Sequence, residues 1–375
     1  MENEKEYNLP DDYRPFADKY FLRSREILEA EGLNPWVNMQ VFVRQGPGTV
    51  HGVDEAVEIV KKYSNIEDVG GKIYALTDGM QYNPKDTLMN IIAPIQEIIE
   101  LETMYLGVIS AETTKHNCGC DIDLGQIENN MRAVAVAAGD RPVMYFGARH
   151  WRYDRDAEVS EAAFRGGASD CSTDVGAKKA GKMGLGTIPH ALENIYAYYF
   201  GMENAVVKAT DAFDRVIDPK IPRIALVDYA NREITDSIDT ARYLDGNLSA
   251  VRVDTPGENM MEGGIPFDGR EYWGGNGVSI AGVHSLRNAL DNSGFDDVDC
   301  VLTSGFGDVE KVHAFNRAEE ELGVKLYDSL GVGGIFDAWM ATADIVAVGD
   351  DPSNMREVHK VGRPARPNPY VRRVA

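Results

Sequence analysis

Apolar and polar positions along this 375-residue chain follow two different rhythms, and the change falls near residue 125. Before it, Phe21, Leu22, Ile27 and Leu28 stand at helical spacing and Gly32 offers a C-cap, which predicts a helix over Phe21–Ala30. Val37–Val43 has strand alternation and Gly46-Pro47-Gly48 breaks it. A helix at Val53–Tyr63, strands at Lys72–Leu76 and Thr87–Ile92, and a helix from Ile95 to Ser110 complete the region. Elements mixed without a strand–helix–strand repeat predict an N-terminal α+β domain over residues 1–124, with the polar residues 1–12 frayed.

After a helix at Ile127–Ala138, six short apolar runs each stop at residues suited to chemistry. Val143-Met144-Tyr145-Phe146 leads to Gly147-Ala148-Arg149, Met183-Gly184-Leu185 to Gly186-Thr187-Ile188-Pro189-His190, and Ile224-Ala225-Leu226-Val227 to Asp228. Ala250-Val251 leads to Arg252-Val253-Asp254, Cys300-Val301-Leu302 to Thr303-Ser304-Gly305, and Lys325-Leu326-Tyr327 to Gly331-Val332-Gly333-Gly334. Helical stretches separate them at Ala191–Ile217, Glu233–Leu244, Ser279–Leu290 and Val309–Leu322, the pattern of parallel strands buried on both faces. Polar groups gathered at the C-terminal ends of such strands form the mouth of an α/β-barrel enzyme. Residues 125–350 are therefore assigned to an irregular, TIM-like α/β barrel, with Asp344–Val348 as one further strand. Residues 351–375, rich in Pro and Arg after Val361, are expected to form a tail packed over the surface.

Composition narrows the partners. The 38 Lys and Arg stand against 60 Asp and Glu, a formal charge of -22, which argues against non-specific nucleic-acid or anionic-membrane binding. An anionic substrate would need a pocket locally positive against that field. The excess of acid fits either an ordinary acidic cytoplasmic enzyme or one adapted to a salty cytoplasm, where screening tolerates the repulsion. The charged start Met1–Glu6 has no apolar stretch behind it, so no secretory leader is expected, and no run of about 18 apolar residues predicts a membrane span. A cytoplasmic location is the default expectation. Four Cys make no disulfide framework, and Cys118, Cys120 and His116 match no common zinc spacing. No protein-held metal is expected.

Three constellations carry candidate chemistry. Gly331-Val332-Gly333-Gly334, ahead of a helix expected near Ile335-Phe336, is either a phosphate loop or a plain tight turn. Ser304-Gly305-Phe306-Gly307 beside it would make a paired cradle. Arg252 and Asp254 sit two apart on a strand and share a face, so they either clamp a phosphate and bind a sugar hydroxyl or Mg²⁺, or pair with each other. His190, set by Pro189, is either a nucleophile or base, or a structural histidine. Arg149 and Arg165 are further anion binders, Gly166–Ser169 could cover a ligand, and Trp151 and Tyr153 read as packing.

Together these segments resemble the nicotinate phosphoribosyltransferases, the type II phosphoribosyltransferase family in its archaeal-type form, from about Ala17 to Arg363. Ala17-Asp18-Lys19-Tyr20-Phe21 is similar to the family's Asp-x-Tyr segment, Phe146-Gly147-Ala148-Arg149 to its FGxR segment, and Gly186-Thr187-Ile188-Pro189-His190 to its GTxxH motif. Arg252-Val253-Asp254-Thr255-Pro256-Gly257 resembles the element that holds phosphoribosyl diphosphate, with Thr255-Pro256 in place of the usual Ser. Gly331-Val332-Gly333-Gly334 resembles a GVGT phosphate loop with Gly334 in place of Thr, and the family's cysteine-rich zinc knuckle is absent.

The resemblance implies a homo-oligomer, at least a dimer, in which Tyr20 stacks on a pyridine ring from the neighbouring subunit and Phe146 and Arg149 face the base or the phosphates. It implies that His190 is phosphorylated by ATP, that Arg252 and Asp254 hold the phosphoribosyl group, and that Thr187, Ser304, Gly305, Gly331, Gly333 and Gly334 line the site. Thr173, or Asp174 one residue on, would stand beside the base's carboxyl or amide, a neutral Thr suiting a carboxylate. The activity implied is ATP-coupled, Mg²⁺-dependent formation of nicotinate mononucleotide and pyrophosphate from nicotinate and phosphoribosyl diphosphate. Nicotinamide- or quinolinate-specific relatives, and a catalytically silent phosphate-binding barrel, are the alternatives.

Overall fold

The computed structural model describes residues 7–375. The segment 1–6, on which the expectation of no leader rests, lies outside the described residues. Helix α1 (Lys19–Ala30) is followed by strands β1 (Trp36–Val43) and β2 (Gly48–Thr49) and helix α2 (Val53–Tyr63). Next come β3 (Lys72–Ala75), β4 (Gln81–Tyr82), β5 (Thr87–Pro94), the single turn α3 (Ile95–Ile98) and the long α4 (Glu102–Cys118). From α5 (Leu124–Ala138) the chain runs through β6 (Val143–Tyr145), α6 (Asp156–Arg165), β7 (Asp170–Cys171), α7 (Asp174–Ala177), α8 (His190–Phe200), α9 (Ala205–Val216) and β8 (Arg223–Leu226). It continues as α10 (Glu233–Tyr243), β9 (Leu248–Val253), α11 (Ile280–Asn292), β10 (Asp299–Leu302), α12 (Val309–Leu322) and β11 (Ser329–Val332). Strands β12 (Ala341–Gly349), β13 (Arg356–Glu357) and β14 (Arg372–Arg373) close it.

Two six-stranded sheets divide the work. One, in the order β7-β6-β11-β10-β9-β8, is wholly parallel and curls into a half-barrel. Its short strands are buried because helices cover the outside, so they read as continuous apolar runs. The other sheet is antiparallel in the order β13-β12-β1-β5-β3-β14. Helix α4 is buried on nearly every side and packs against β12, α2 and the turn Ala148–His150 at the mouth of the half-barrel. Among the described residues no helix is long and apolar enough to cross a membrane.

The domain limits expected from the sequence do not match the sheets. Strand β12, expected as a further barrel strand, pairs with β1 along its whole length, Val37 opposite Val348 and Val43 opposite Ala341. The expected surface tail supplies β13 and β14 to the same sheet and buries Lys360 and Arg363. An apolar strand pattern does not state which sheet it joins; β1 needs two neighbours, and only β5 comes from nearby in sequence.

Local differences have local causes. The helix expected over Ala191–Ile217 is two, because Gly201 takes a positive φ of 87° between α8 and α9. The run Met183–Leu185 is not a strand; it crosses the open edge of the half-barrel, where Leu185 N–H donates to Cys171 O. No helix follows Gly334. Residues 7–12 are held rather than frayed, since Pro10 O accepts from the Tyr63 hydroxyl and Leu9 O from Lys62.

Candidate active site

The C-terminal ends of the parallel strands open into a cavity of about 560 Å³, roofed by α1, α4, β12 and the segment around Lys360. Of the residues singled out in the sequence, Tyr20, Phe146, Arg149, His190, Arg252, Asp254, Ser304, Gly305, Gly331, Gly333 and Gly334 all line it. Thr173 and Thr187 do not. Thr173 caps α7, accepting from Gly176 N–H and donating to Asp156, and the Thr187 hydroxyl donates to Ile224 O, so both hydroxyls are engaged within the chain. Arg165 pairs with Glu128 and Glu161 on the surface, and Gly166 packs on Met131 rather than over the cavity.

One end of the cavity is an aromatic slot. Tyr20, in the first turn of α1, and Phe146, after β6, stand with Arg149, which donates to the Tyr20 hydroxyl and lies 3.4 Å from Glu102. Tyr20 lines this cavity within its own chain. Asp18 N–H donates to Thr103 and Lys19 N–H to Ser172 O, which pins the start of α1 across the mouth. Burial pushes the Glu102 carboxyl up to about 8 against the pull of Arg149, and burial likewise raises Asp18. With both carboxyls raised, Arg149 has weaker counter-charges beside it than ordinary carboxylates would supply.

Another part of the lining is built from backbone. Ser304 and Gly305 adopt φ of 63° and 89°, and the N–H groups of Ser304 to Gly307 find no partner among the described residues. Successive free N–H groups in such a turn form an anion-binding concavity. Gly333 and Gly334 face it, with His150 Nδ1 3.1 Å from Gly333 O. Burial pulls His150 down to about 4, so the neutral ring donates from Nδ1 to that carbonyl. A Cβ on Gly307 would collide with the Gly334 carbonyl. Gly307→Ala is therefore expected to part the two loops and raise KM for a phosphorylated substrate by tenfold or more, with Tm lowered by a few degrees. Steady-state kinetics and a thermal melt check both.

Cationic side chains fill the space between. Arg252 donates to Ile188 O at 3.0 Å and makes no ion pair with Asp254, whose Oδ1 accepts from Thr303. The mutual salt bridge is thus excluded, and the buried Arg252 Nε has no partner. Arg44 and Arg363 arrive from the antiparallel sheet and the tail, Arg44 2.8 Å from Glu258 and Arg363 3.4 Å from Asp344.

His190 opens α8 behind Pro189 and, itself half-buried, joins the buried Asp228 and Lys360 in a trio. Its Nε2 lies 2.9 Å from Asp228 Oδ1 and 2.9 Å from Lys360 Nζ, and Lys360 also bonds Asp228. Burial and the Lys360 charge hold the imidazole below its ordinary pKa. Burial opposes the Asp228 charge, but Lys360 and His190 outweigh it and keep the carboxylate ionised. The result is a neutral imidazole oriented by an anion, with Nδ1 lacking a protein partner.

Arg44, Glu102, Lys360 and Arg363 were missed in the sequence, and Asp18 was seen in the Asp-x-Tyr segment without a role. Asp228 was visible as the end of an apolar run, but nothing local marked it as the partner of His190. His116 bonds Glu112 O and stacks on His51, with ring centroids 3.7 Å apart. Among the described residues no three metal-ligating side chains converge.

The half-barrel and its roof are similar to solved nicotinate phosphoribosyltransferases. That from Vibrio cholerae matches with a TM-score of 0.64 and 13% identity over 94% of this chain and 92% of its own. A putative one from Saccharomyces cerevisiae gives 0.64 and 13% over 94% and 96%, and one from Porphyromonas gingivalis 0.62 and 13% over 92% of both. The fold is that of these proteins. Residues 18–112 match the family model for the quinolinate phosphoribosyl transferase N-terminal domain, the segment carrying Asp18, Tyr20, Arg44 and Glu102. A Mycobacterium tuberculosis nicotinate phosphoribosyltransferase is 24% identical over 264 residues, 70% of this chain and 47% of its own. The chain spans about half the length of the curated relatives it matches.

Proposed function

We propose that this chain is a nicotinate phosphoribosyltransferase, joining nicotinate to phosphoribosyl diphosphate to give nicotinate mononucleotide and pyrophosphate. One observation carries the reading. A single hollow is lined by Tyr20, Phe146 and Arg149, by the Ser304–Gly307 turn with its free N–H groups, by Gly333 and Gly334, and by Arg252. A flat aromatic anion fits the first and a phosphorylated sugar the second.

Nicotinate suits the slot better than nicotinamide. Nicotinamide is neutral and would bring no counter-charge to Arg149, whereas the nicotinate carboxylate would. As the C1–O bond to pyrophosphate lengthens and the pyridine nitrogen closes on C1, positive charge grows on the ribose and negative charge on the leaving group. Little proton transfer is needed, so orientation and charge stabilisation carry the rate. Tyr20 and Phe146 hold the ring, the Ser304–Gly307 and Gly333–Gly334 loops hold the 5-phosphate, and Arg252 faces the leaving group.

Mg²⁺ fits this set as a substrate-bridged ion. Asp254 keeps one carboxylate oxygen free of protein partners, and Mg²⁺ is commonly held by one or two carboxylates plus phosphate oxygens. It would neutralise pyrophosphate charge.

ATP coupling runs through His190 in this proposal. With Nε2–H donating to Asp228 and the Lys360 ammonium donating to the other oxygen of that carboxylate, the Nδ1 lone pair would attack the γ-phosphorus of ATP as the bond to ADP breaks. The phosphorylated state would then favour substrate binding, and its hydrolysis product release.

The test is pyrophosphate release with nicotinate, nicotinamide and quinolinate, with Mg²⁺, with and without ATP. Nicotinate should turn over fastest and ATP should raise its rate. Binding of phosphoribosyl diphosphate with no turnover of any base would favour a silent barrel and overturn the proposal. His190→Ala is expected to lose the ATP stimulation while keeping ATP-independent transfer. Equal loss of both would count against the coupling role.

A further inference from the structure

Behind the Ser304–Gly307 loop, and outside the cavity lining, stands a charged side chain that forms no ion pair among the described residues. Lys311, near the start of α12, is buried, and its Nζ donates to Ser304 O at 3.0 Å. The same nitrogen lies 4.5 Å from the Phe306 ring centroid, and a Cβ built on Gly305 would sit 3.3 Å from it. Among the described residues no carboxylate lies within ion-pairing distance. The charges facing it are Asp308, just before α12 and bonded to the Tyr272 hydroxyl, and Asp254, after β9.

We propose that Lys311 is a positioning residue for the phosphate end of the substrate: clamped on the Ser304 carbonyl, its ammonium fixes the left-handed Ser304–Gly305 turn and sets a positive charge behind its free N–H groups. The inference rests on the phosphoribosyl reading of the cavity. A serine in the left-handed region is strained, and it persists only where its surroundings over-determine it. Capture of its carbonyl by a buried cation does this, turning the carbonyl away from the cavity and the following N–H groups toward it. The nearby charge then adds to the N–H dipoles where water is scarce.

Lys311 also makes the loop sensitive to pH. Burial pulls its ammonium down to about 8, against Asp308 and Asp254, which favour the charged form. Anion affinity should therefore be complete below that value and decline as pH rises through it.

The experiment measures ribose 5-phosphate binding to the full chain by calorimetry, for the wild type, Lys311→Arg and Lys311→Met. Ribose 5-phosphate is a dianion throughout the range from pH 7.5 to 9.5. Wild-type Kd should rise about tenfold beyond that of Lys311→Arg over this range, since one titrating charge is lost only in the former. Glu102, which also titrates near 8, is common to both and cancels in the ratio. Lys311→Met should bind tenfold or more weakly at pH 7.5, and Lys311→Arg within about threefold of wild type. Parallel slopes for wild type and Lys311→Arg, or full affinity in Lys311→Met, would overturn the role of Lys311 alone. A wild type that binds no ribose 5-phosphate would overturn the substrate reading and this inference together.

Discussion

Arg252→Ala is expected to lower kcat/KM for phosphoribosyl diphosphate by about a thousandfold, with kcat carrying most of the loss. A charged donor aimed at developing negative charge in a water-poor site contributes on the order of 3–4 kcal/mol to the barrier. The geometry supports that magnitude. One nitrogen of the guanidinium is fixed on Ile188 O, while the buried Nε has no protein partner, so the group is anchored but unspent. Arg252→Lys keeps the charge and loses the fork, and should recover no more than about tenfold. Steady-state kinetics of pyrophosphate release separates the cases. A loss confined to KM would instead make Arg252 a ground-state binder.

The second large effect is on stability. Asp228→Ala strands Lys360, whose side chain is only 5% exposed, without its counter-ion. Removing one partner of a buried pair costs about 3–5 kcal/mol, because the remaining charge keeps its desolvation penalty. A denaturant titration should show a fall of that size, and ATP stimulation should vanish with it. Lys360→Met in the same background removes the stranded charge and should restore part of the stability. The pH dependence has a fixed sign. The folded pKa of Asp228 is depressed, so its stabilisation is present above the ordinary carboxylate range and is lost as pH falls through the folded value. An Asp228→Ala protein should therefore resemble the wild type more closely at strongly acid pH.

The parallel half-barrel was legible because its strands are buried on both faces, which leaves short, wholly apolar runs with polar ends. Arg149, Arg252, Asp254 and the two glycine-bearing loops followed directly, since the C-terminal end of each such strand opens on the same mouth. What was illegible lies elsewhere in the chain. Lys360 and Arg363 sit in a Pro- and Arg-rich stretch that reads as solvated, and only the return of β12 alongside β1 carries them over the cavity. Thr173 and Thr187 stand in motif-like surroundings, yet each hydroxyl is turned to the local backbone or Asp156, a direction no spacing rule fixes. Gly201 ended a helix in the middle of an unbroken apolar period, because the pattern resumed in phase four residues later.

The pairing of β12 with β1 has a consequence for synthesis. A nascent chain that has emerged only as far as β11 already possesses all six strands of the half-barrel and most of its mouth, but neither Lys360 nor Arg363. Its β1 also lacks one of its two neighbours. Until β12 arrives, the core against the antiparallel sheet also lacks Ala341, Ile345 and Val348, so the roof and its two cations come together with the last apolar layer of that core.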